Sequence, residues 1–92
     1  MIEELDGAKE YFKEACKLKE ERPDWAKSFY EMGNAELDHS RALNKMFNEH
    51  FKSLNTKPEL VEYMEPFKDM ADEAYIQKMG EARYMQDKFN GK

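Results

Sequence analysis

The amino-acid sequence predicts an all-α fold, in which an antiparallel helical hairpin is followed by a third helix. The composition favours helix over strand, because Glu, Lys, Ala and Met are abundant and β-branched residues are few. Two proline-containing breaks, at residues 22–24 and 55–58, punctuate the chain. Between the breaks, apolar residues recur at helical spacing. The sequence therefore predicts one domain over residues 1–92, with helices at about 3–21, 24–53 and 58–89.

The breaks also explain how each helix starts. Pro23 ends the first periodic segment and suits the first turn of the second helix. Thr56 can cap the third helix and Pro58 can occupy its first turn, whereas Pro66 either kinks that helix or marks its true start. Because both connections are short, successive helices should be antiparallel neighbours.

The charge and length of the chain limit the classes of function. The 20 acidic and 15 basic residues give a net charge of −5. This balance disfavours a nucleic-acid surface, because phosphate contacts need clustered Lys and Arg. A 92-residue chain buries only about 60–65% of its unfolded surface. Association of copies is a common remedy for so small a core.

Cysteine usage and hydropathy bear on location. Cys16 is the only cysteine, so no intrachain disulfide can form and a reducing compartment is favoured. No stretch approaches 18 apolar residues, and the acidic start Met1–Glu4 is unlike a signal peptide. We therefore expect a cytoplasmic protein with neither membrane nor nucleic acid as a partner.

The second helix carries an unusually regular seam with alternating steps of four and three residues, the spacing of a packed bundle. Trp25 and Phe29 at its start are expected to anchor the core near the hairpin turn. We expect the seam to be buried, except that His50 lies near the helix end, where water reaches, and is expected to be structural or partly solvated. The members of the seam are Trp25, Phe29, Met32, Glu36, His39, Leu43, Met46 and His50.

Glu36 and His39 are the informative members of this seam. A carboxylate and an imidazole three residues apart on a helix point the same way, so they converge on one place. Burying them without partners would cost free energy. A bound cation would satisfy both, because carboxylates and neutral imidazoles are metal ligands. The alternative is a buried pair satisfied by hydrogen bonds to neighbours such as Tyr11 or Lys19.

A metal site of this kind also needs a carboxylate from the neighbouring helix. If the hairpin turn is centred near residues 20–22, Glu36 lies level with about residues 4–8 of the first helix. Glu4 projects on the same side as the apolar residues there, whereas Glu3 faces outward. Glu4 is therefore the candidate third ligand.

These residues carry a family resemblance. Glu4, Ala8, Tyr11 and Phe12, a short turn, Phe29 and then Glu36-x-x-His39 resemble the first helical hairpin of ferritin-like and rubrerythrin-like proteins. The same segment resembles small prophage-encoded proteins of uncharacterised function. The resemblance covers about the first 50 residues. It implies that Glu4, Glu36 and His39 are ligands of one half of a di-iron centre.

The chain departs from that pattern because it has no second Glu-x-x-His motif; the nearest echo is Glu81-x-x-Tyr84. One solution is a ferritin-like half-bundle completed by dimerisation, in a homodimer or a larger homo-oligomer. The other is a site completed by the third helix. If the second turn is centred near residue 56, Glu73 lies level with His39 and becomes a possible fourth ligand. Its alternative is an ordinary surface charge.

The sequence thus leads to two hypotheses of function. The first is a ferritin-like metal-binding protein, with iron as the metal that the resemblance implies and with manganese or zinc compatible with the same ligands. Nothing in the sequence selects a substrate or decides whether catalysis occurs. The second is a non-enzymatic structural or interaction protein that keeps the hairpin as a scaffold, with a hydrogen-bond network in its polar seam.

Overall fold

The computed structural model describes residues 2–54 and 58–92, which form three helices and contain no strand. The helices are α1 (Ile2–Leu18), α2 (Pro23–Leu54) and α3 (Pro58–Phe89). The predicted all-α fold, a hairpin extended by a third helix, is confirmed. The first helix ends three residues before its predicted end, and the predicted cap Thr56 lies outside the described residues. No helix in the described part of the chain is long and apolar enough to cross a membrane.

Local sequence signals fix the helix ends. Pro23 opens α2, where its missing N–H would have had no helical partner. Pro66 lies inside α3 without ending it. At the end of α3, Gly91 adopts a φ of 80°. The amide N–H of Lys92 donates to the carbonyl of Asp87 at 2.9 Å and that of Gly91 to Lys88 at 3.2 Å, which closes the helix with a Schellman motif.

The molecule is elongated, measuring 57 × 18 × 17 Å, because α2 and α3 are much longer than α1. The 32 residues of each long helix span about 48 Å, and the 17 residues of α1 span about 26 Å. Helix α1 packs against both of the others and carries most of the core. The fully buried cluster comprises Leu5, Ala8, Phe12, Leu37 and Ala82.

Small residues mark the line along which α2 meets α1. Ala26, Gly33 and Ser40 are buried at steps of seven residues, and Ala8 and Ala15 on α1 repeat the same spacing. Small side chains at this spacing let the two backbones approach closely, and the regular step keeps the contact on one face of each helix.

The prediction that the seam of α2 packs in the core is therefore wrong for the single chain. The buried positions Ala26, Gly33, Leu37 and Ser40 each lie one residue after a predicted position, which is a rotation of about 100°. Large apolar side chains predicted to be buried are exposed, including Trp25, the expected core anchor. The exposed side of α2 is called the motif face below; it carries Trp25, Met32, His39, Leu43 and Met46.

Polar contacts set the position of α3 alongside α1. The Lys78 ammonium lies 3.2 Å from the Asp6 carboxylate, and the Lys9 ammonium lies 3.5 Å from that of Glu81. Because both pairs join residues 72 positions apart in the same order, α3 runs parallel to α1 over its second half. At its end, the Lys19 ammonium donates to the Phe89 carbonyl and lies over the Phe89 ring.

Candidate metal centre

Glu36 and His39 lie near the middle of α2, where Nδ1 of His39 is 3.9 Å from Oε1 of Glu36. The expected convergence of the two side chains on one place is therefore present in the structure. The expected burial is not: 70% of the His39 side chain and 29% of the Glu36 side chain are exposed. The imidazole belongs to the open motif face, and the carboxylate lies at its border with α1.

The Glu36 carboxylate approaches α1 at Gly7. A Cβ atom at this position would stand 3.5 Å from Oε2 of Glu36 and 3.9 Å from its Cγ, which is ordinary contact distance. The carboxylate therefore lies directly against the α1 backbone, one helical turn after Glu4. Sequence reasoning did not single out Gly7 for this role. Its position level with Glu36 in the hairpin was the available signal.

The carboxyl group of Glu4 has a pKa that departs from its ordinary value. Its pKa is lowered from the ordinary value, most strongly by a hydrogen bond from the terminal amino group of the chain and next by a backbone hydrogen bond. The approach of Glu36 to His39 is therefore the observed part of the site, and Glu4 lies one helical turn before Gly7 on α1.

The donor set is nevertheless incomplete among the residues that the structure describes in one chain. Among the described residues, no three His, Cys, Asp or Glu side chains lie close enough together to hold a metal ion. Glu73 is exposed on α3, nine residues and therefore two and a half turns from the buried Ala82, so it points away from the packed side of its helix. Glu81 pairs instead with Lys9 and Lys78.

The neighbours proposed as an alternative to a metal are engaged elsewhere. The Tyr11 ring packs against Phe29 with a centroid separation of 6.3 Å. Lys19 lies at the far end of α1, on Phe89. The lone Cys16 points its thiol at the Met85 carbonyl, with Sγ at 3.9 Å from the oxygen. These contacts hold the helices together.

Comparison with known proteins places this chain in a family. The sequence matches the rubrerythrin family over residues 1–88, which is nearly the whole chain. No curated protein and no solved structure shows a significant match. The matched residues include Glu4 and Glu36-x-x-His39 and extend through most of α3, well beyond the hairpin that carries the motif. The chain belongs to the rubrerythrin family, a ferritin-like family whose members typically bind iron.

Proposed function

We propose that this chain binds iron, as a dinuclear centre formed between two copies that each contribute Glu4, Glu36 and His39. The observation that carries the proposal is the meeting of the Glu36 carboxylate and the His39 imidazole, 3.9 Å apart, at one edge of an open helix face. Family membership supports iron as the metal.

The chemistry of the donors suits this metal. Carboxylate oxygens and imidazole nitrogens are the ligands of carboxylate-bridged iron centres in helical bundles. The lowered pKa of Glu4 favours the charged form that a metal ligand must adopt. Glu36 can bridge or chelate, because a carboxylate offers two oxygens to a metal and 29% of this side chain is exposed.

The proposal includes a second copy because the described residues of one chain do not bring together enough ligands for a metal. The motif face is also apolar at four positions, where Trp25, Met32, Leu43 and Met46 expose 38–63% of their surface. Large apolar side chains grouped around a polar motif are typical of a surface that is covered in the working assembly. Packing two motif faces together would bury these side chains and bring two Glu36–His39 pairs into one place.

Iron bound there would supply redox chemistry toward dioxygen or peroxide. The residues of the chain itself would hold the metal and limit the access of water to it. Glu4 and Glu36 compensate the positive charge, His39 donates a nitrogen ligand, and the apolar side chains of the motif face restrict access of water. Manganese or zinc would suit the same ligands, and Glu73 of either copy remains a candidate for an additional one.

The experiment measures metal content in protein purified without a histidine tag and loaded with ferrous iron under anaerobic conditions. We expect iron in stoichiometric amounts in the wild type, and less than about a tenth of that in Glu36→Gln and His39→Ala, because each change removes a ligand. Asp38→Asn is the matched control. Asp38 lies inside the motif but points outward and pairs with Arg41 at 3.5 Å, so this variant should bind iron normally.

Equal iron content in all four proteins would contradict the proposed ligands. Absence of iron, manganese and zinc from the wild type after loading, with unchanged stability of the two ligand variants, would favour the scaffold alternative. The exposure of the His39 side chain is the observation that favours the scaffold alternative. Parallel loading with each metal identifies which one the centre prefers.

A further inference from the structure

The middle of α2 presents the same kinds of side chain when it is followed in either direction. Glu36 and His39 are three residues apart, Met32 and Leu43 are eleven apart, and the two pairs have the same midpoint. From that midpoint, each direction meets a metal-binding side chain first and a large apolar side chain one turn later. The segment therefore has the symmetry that a contact between two identical helices requires.

This side of α2 is open and almost free of charge. Met32 is 44% and Leu43 is 38% exposed. Glu36 is the only acidic or basic residue of formal charge here, because the others after Asp24 lie on the opposite half of the helix: Lys27, Glu31, Asp38, Arg41, Lys45, Glu49 and Lys52. Exposed large apolar side chains on a strip that charged residues avoid are typical of an interface.

Two copies in antiparallel orientation would place complementary groups opposite each other. With a two-fold axis at the common midpoint, Glu36 of each copy faces His39 of the other, and Met32 faces Leu43. An imidazole N–H donates to a carboxylate oxygen, whereas a parallel pair without metal would set Glu36 against Glu36, and two carboxylates repel. Within one chain, Oε1 of Glu36 and Nδ1 of His39 are 3.9 Å apart, which is longer than a hydrogen bond. Both side chains therefore retain atoms that can contact a second copy.

The short first helix favours the same orientation. Glu36 lies at Gly7, and Ile2 begins α1 five residues earlier, so α1 accompanies α2 only from about residue 25 to residue 41. In the antiparallel pair, α1 of the other copy would lie level with about residues 34–50. The two α1 helices would then flank both halves of the paired α2 helices. A parallel pair would leave the same half without α1 in both copies.

The apolar residues nearer the start of α2 contribute less to this choice, because they already have partners in the chain. The Phe29 ring packs on Tyr11, and the Arg22 guanidinium lies 3.7 Å from the centroid of the Trp25 ring. The register therefore depends on the inner four positions, 32, 36, 39 and 43.

We propose that the second copy at the metal centre lies antiparallel to the first, with a two-fold axis between Glu36 and His39 and with Met32 of each copy packed on Leu43 of the other. The arrangement rests on the proposed use of the motif face as the contact between copies, and it specifies the direction and register of that contact. The four ligands that the two α2 helices contribute then lie within about 4.5 Å along the helix axes. The contact is isologous, because the same patch serves on both copies.

The test is cysteine cross-linking of the metal-free protein with a short bismaleimide, in a Cys16→Ser background that removes the only native thiol. Met32→Cys and Leu43→Cys are made singly and together. Both positions are exposed, so the fold should persist, and circular dichroism checks helicity. In the proposed register, thiols at 32 and 43 of different copies face each other across helix axes about 8–10 Å apart. Equivalent thiols of the two copies are about 16 Å apart along the helices, as are the two thiols of one chain.

We expect the double variant to give at least about ten times as much cross-linked dimer as either single variant, because only its thiols face each other within reach of the reagent. Peptide mapping should join position 32 of one copy to position 43 of the other. Glu31→Cys with Leu43→Cys is the matched control, because Glu31 is exposed about 100° round the helix from Met32, and it should cross-link as little as the single variants.

Efficient cross-linking of each single variant would mean a parallel pair and would overturn the proposed orientation. Absence of cross-linking from every variant would overturn the contact itself. Because cross-linking is measured without metal and the metal centre is judged by iron content, the two proposals can fail separately. A cross-linked double variant together with a wild type that binds no iron would support the antiparallel contact and contradict the metal centre. Iron in the wild type without any cross-linking would do the reverse.

Discussion

The ring of Phe12 lies directly against the backbone of Gly33, and this contact sets how closely α1 approaches α2. A Cβ atom on Gly33 would stand 2.7 Å from Cδ1 and 2.8 Å from Cζ of the ring, distances that real Cβ atoms essentially never show. Phe12 is fully buried, so its ring has little room to move. The pair fixes the level at which Glu36, one turn further along α2, faces Gly7.

Gly33→Ala should therefore destabilise the protein despite the higher helix propensity of alanine. Insertion of a methyl group into a well-packed contact costs about 1–3 kcal/mol, whereas exchange of glycine for alanine in a helix contributes at most about 1 kcal/mol in favour. We expect a net loss in the free energy of unfolding, measured by urea denaturation of the metal-free protein.

Gly80→Ala is the control for this measurement, because Gly80 is also helical but its Cβ would meet nothing. It should leave stability unchanged or raise it by up to about 1 kcal/mol. If Gly33→Ala proved as stable as Gly80→Ala, the close approach of Phe12 would not be a constraint on the hairpin.

The packing of Phe12 on Gly33 separates the features of the fold that could be predicted from the sequence from those that could not. The helix count, the prolines that open α2 and α3, and the hairpin itself follow from punctuation and periodicity, which are local properties. The orientation of α2 about its own axis, which decides which of its faces is buried, does not follow from such local properties. The sequence pattern gives weight to large apolar residues such as Trp25 and Met32, whereas the core was built on Ala26, Gly33 and Ser40. The small residues at steps of seven were the available signal in the sequence for the line along which α2 packs on α1.

The candidate site shows a similar division. The spacing of Glu36 and His39 predicts their convergence, because it follows from helix geometry alone. The place of Gly7 and the outward position of Glu73 depend on how three helices settle against one another, and this is not encoded in any one of them. The large apolar residues that the pattern assigned to the core form the motif face instead. The pattern therefore grouped residues that do share one face of α2, but that face is exposed in the single chain and does not pack on α1.

Asp24, in the first turn of α2, should make stability depend on pH in the acidic range. A hydrogen bond from Arg22, with 3.5 Å between Nη2 and Oδ2, is the largest cause that lowers the pKa of the Asp24 carboxyl below its ordinary 3.8. A carboxyl with a depressed folded-state pKa stabilises the protein above the unfolded value and loses that contribution as pH falls through the folded one.

Asp24→Asn should therefore reduce the melting temperature slightly at pH 7, and the difference from wild type should disappear as the pH falls below 3.8. The effect is small because the group is exposed to solvent. Arg22→Gln should produce a similar loss at pH 7, and the double variant should lose less than the sum of the two. A difference that persists at low pH would mean that the Asp24 charge is not its origin.

Removal of metal should destabilise the wild type and leave a ligand variant unaffected. At free iron about 100 times the dissociation constant, binding contributes about 2.7 kcal/mol of stability. For a domain of this size that is a decrease of about 10–20 °C in melting temperature on chelation. Glu36→Gln should melt at one temperature with and without chelator, measured by differential scanning calorimetry.

Glu31→Gln provides the comparison for the chelation experiment, since Glu31 is an exposed acid on the same helix. It should keep the full difference between loaded and chelated protein. Equal chelator sensitivity of the Glu36 and Glu31 variants would place the stabilising metal outside the motif.

Leu43 on the motif face should link association to metal binding. Leu43→Glu places a charge where the proposed centre requires an apolar contact with a second copy, whereas Ala42→Glu places it about 100° further round the helix, on an exposed side. Trp25, the only tryptophan and half-exposed in the single chain, reports the covering of this face. In the wild type and in Ala42→Glu, its emission should shift to shorter wavelength as concentration rises and iron is added.

In Leu43→Glu, the emission of Trp25 should stay at the long-wavelength position at all concentrations, and iron content should fall although Glu4, Glu36 and His39 are intact. The reason is that each chain holds only part of the ligand set in the proposed centre, so a barrier to association is also a barrier to metal binding. Full iron binding by a monomeric Leu43→Glu protein would show that one chain completes the centre, and Glu73 would then have to be reconsidered as its missing ligand.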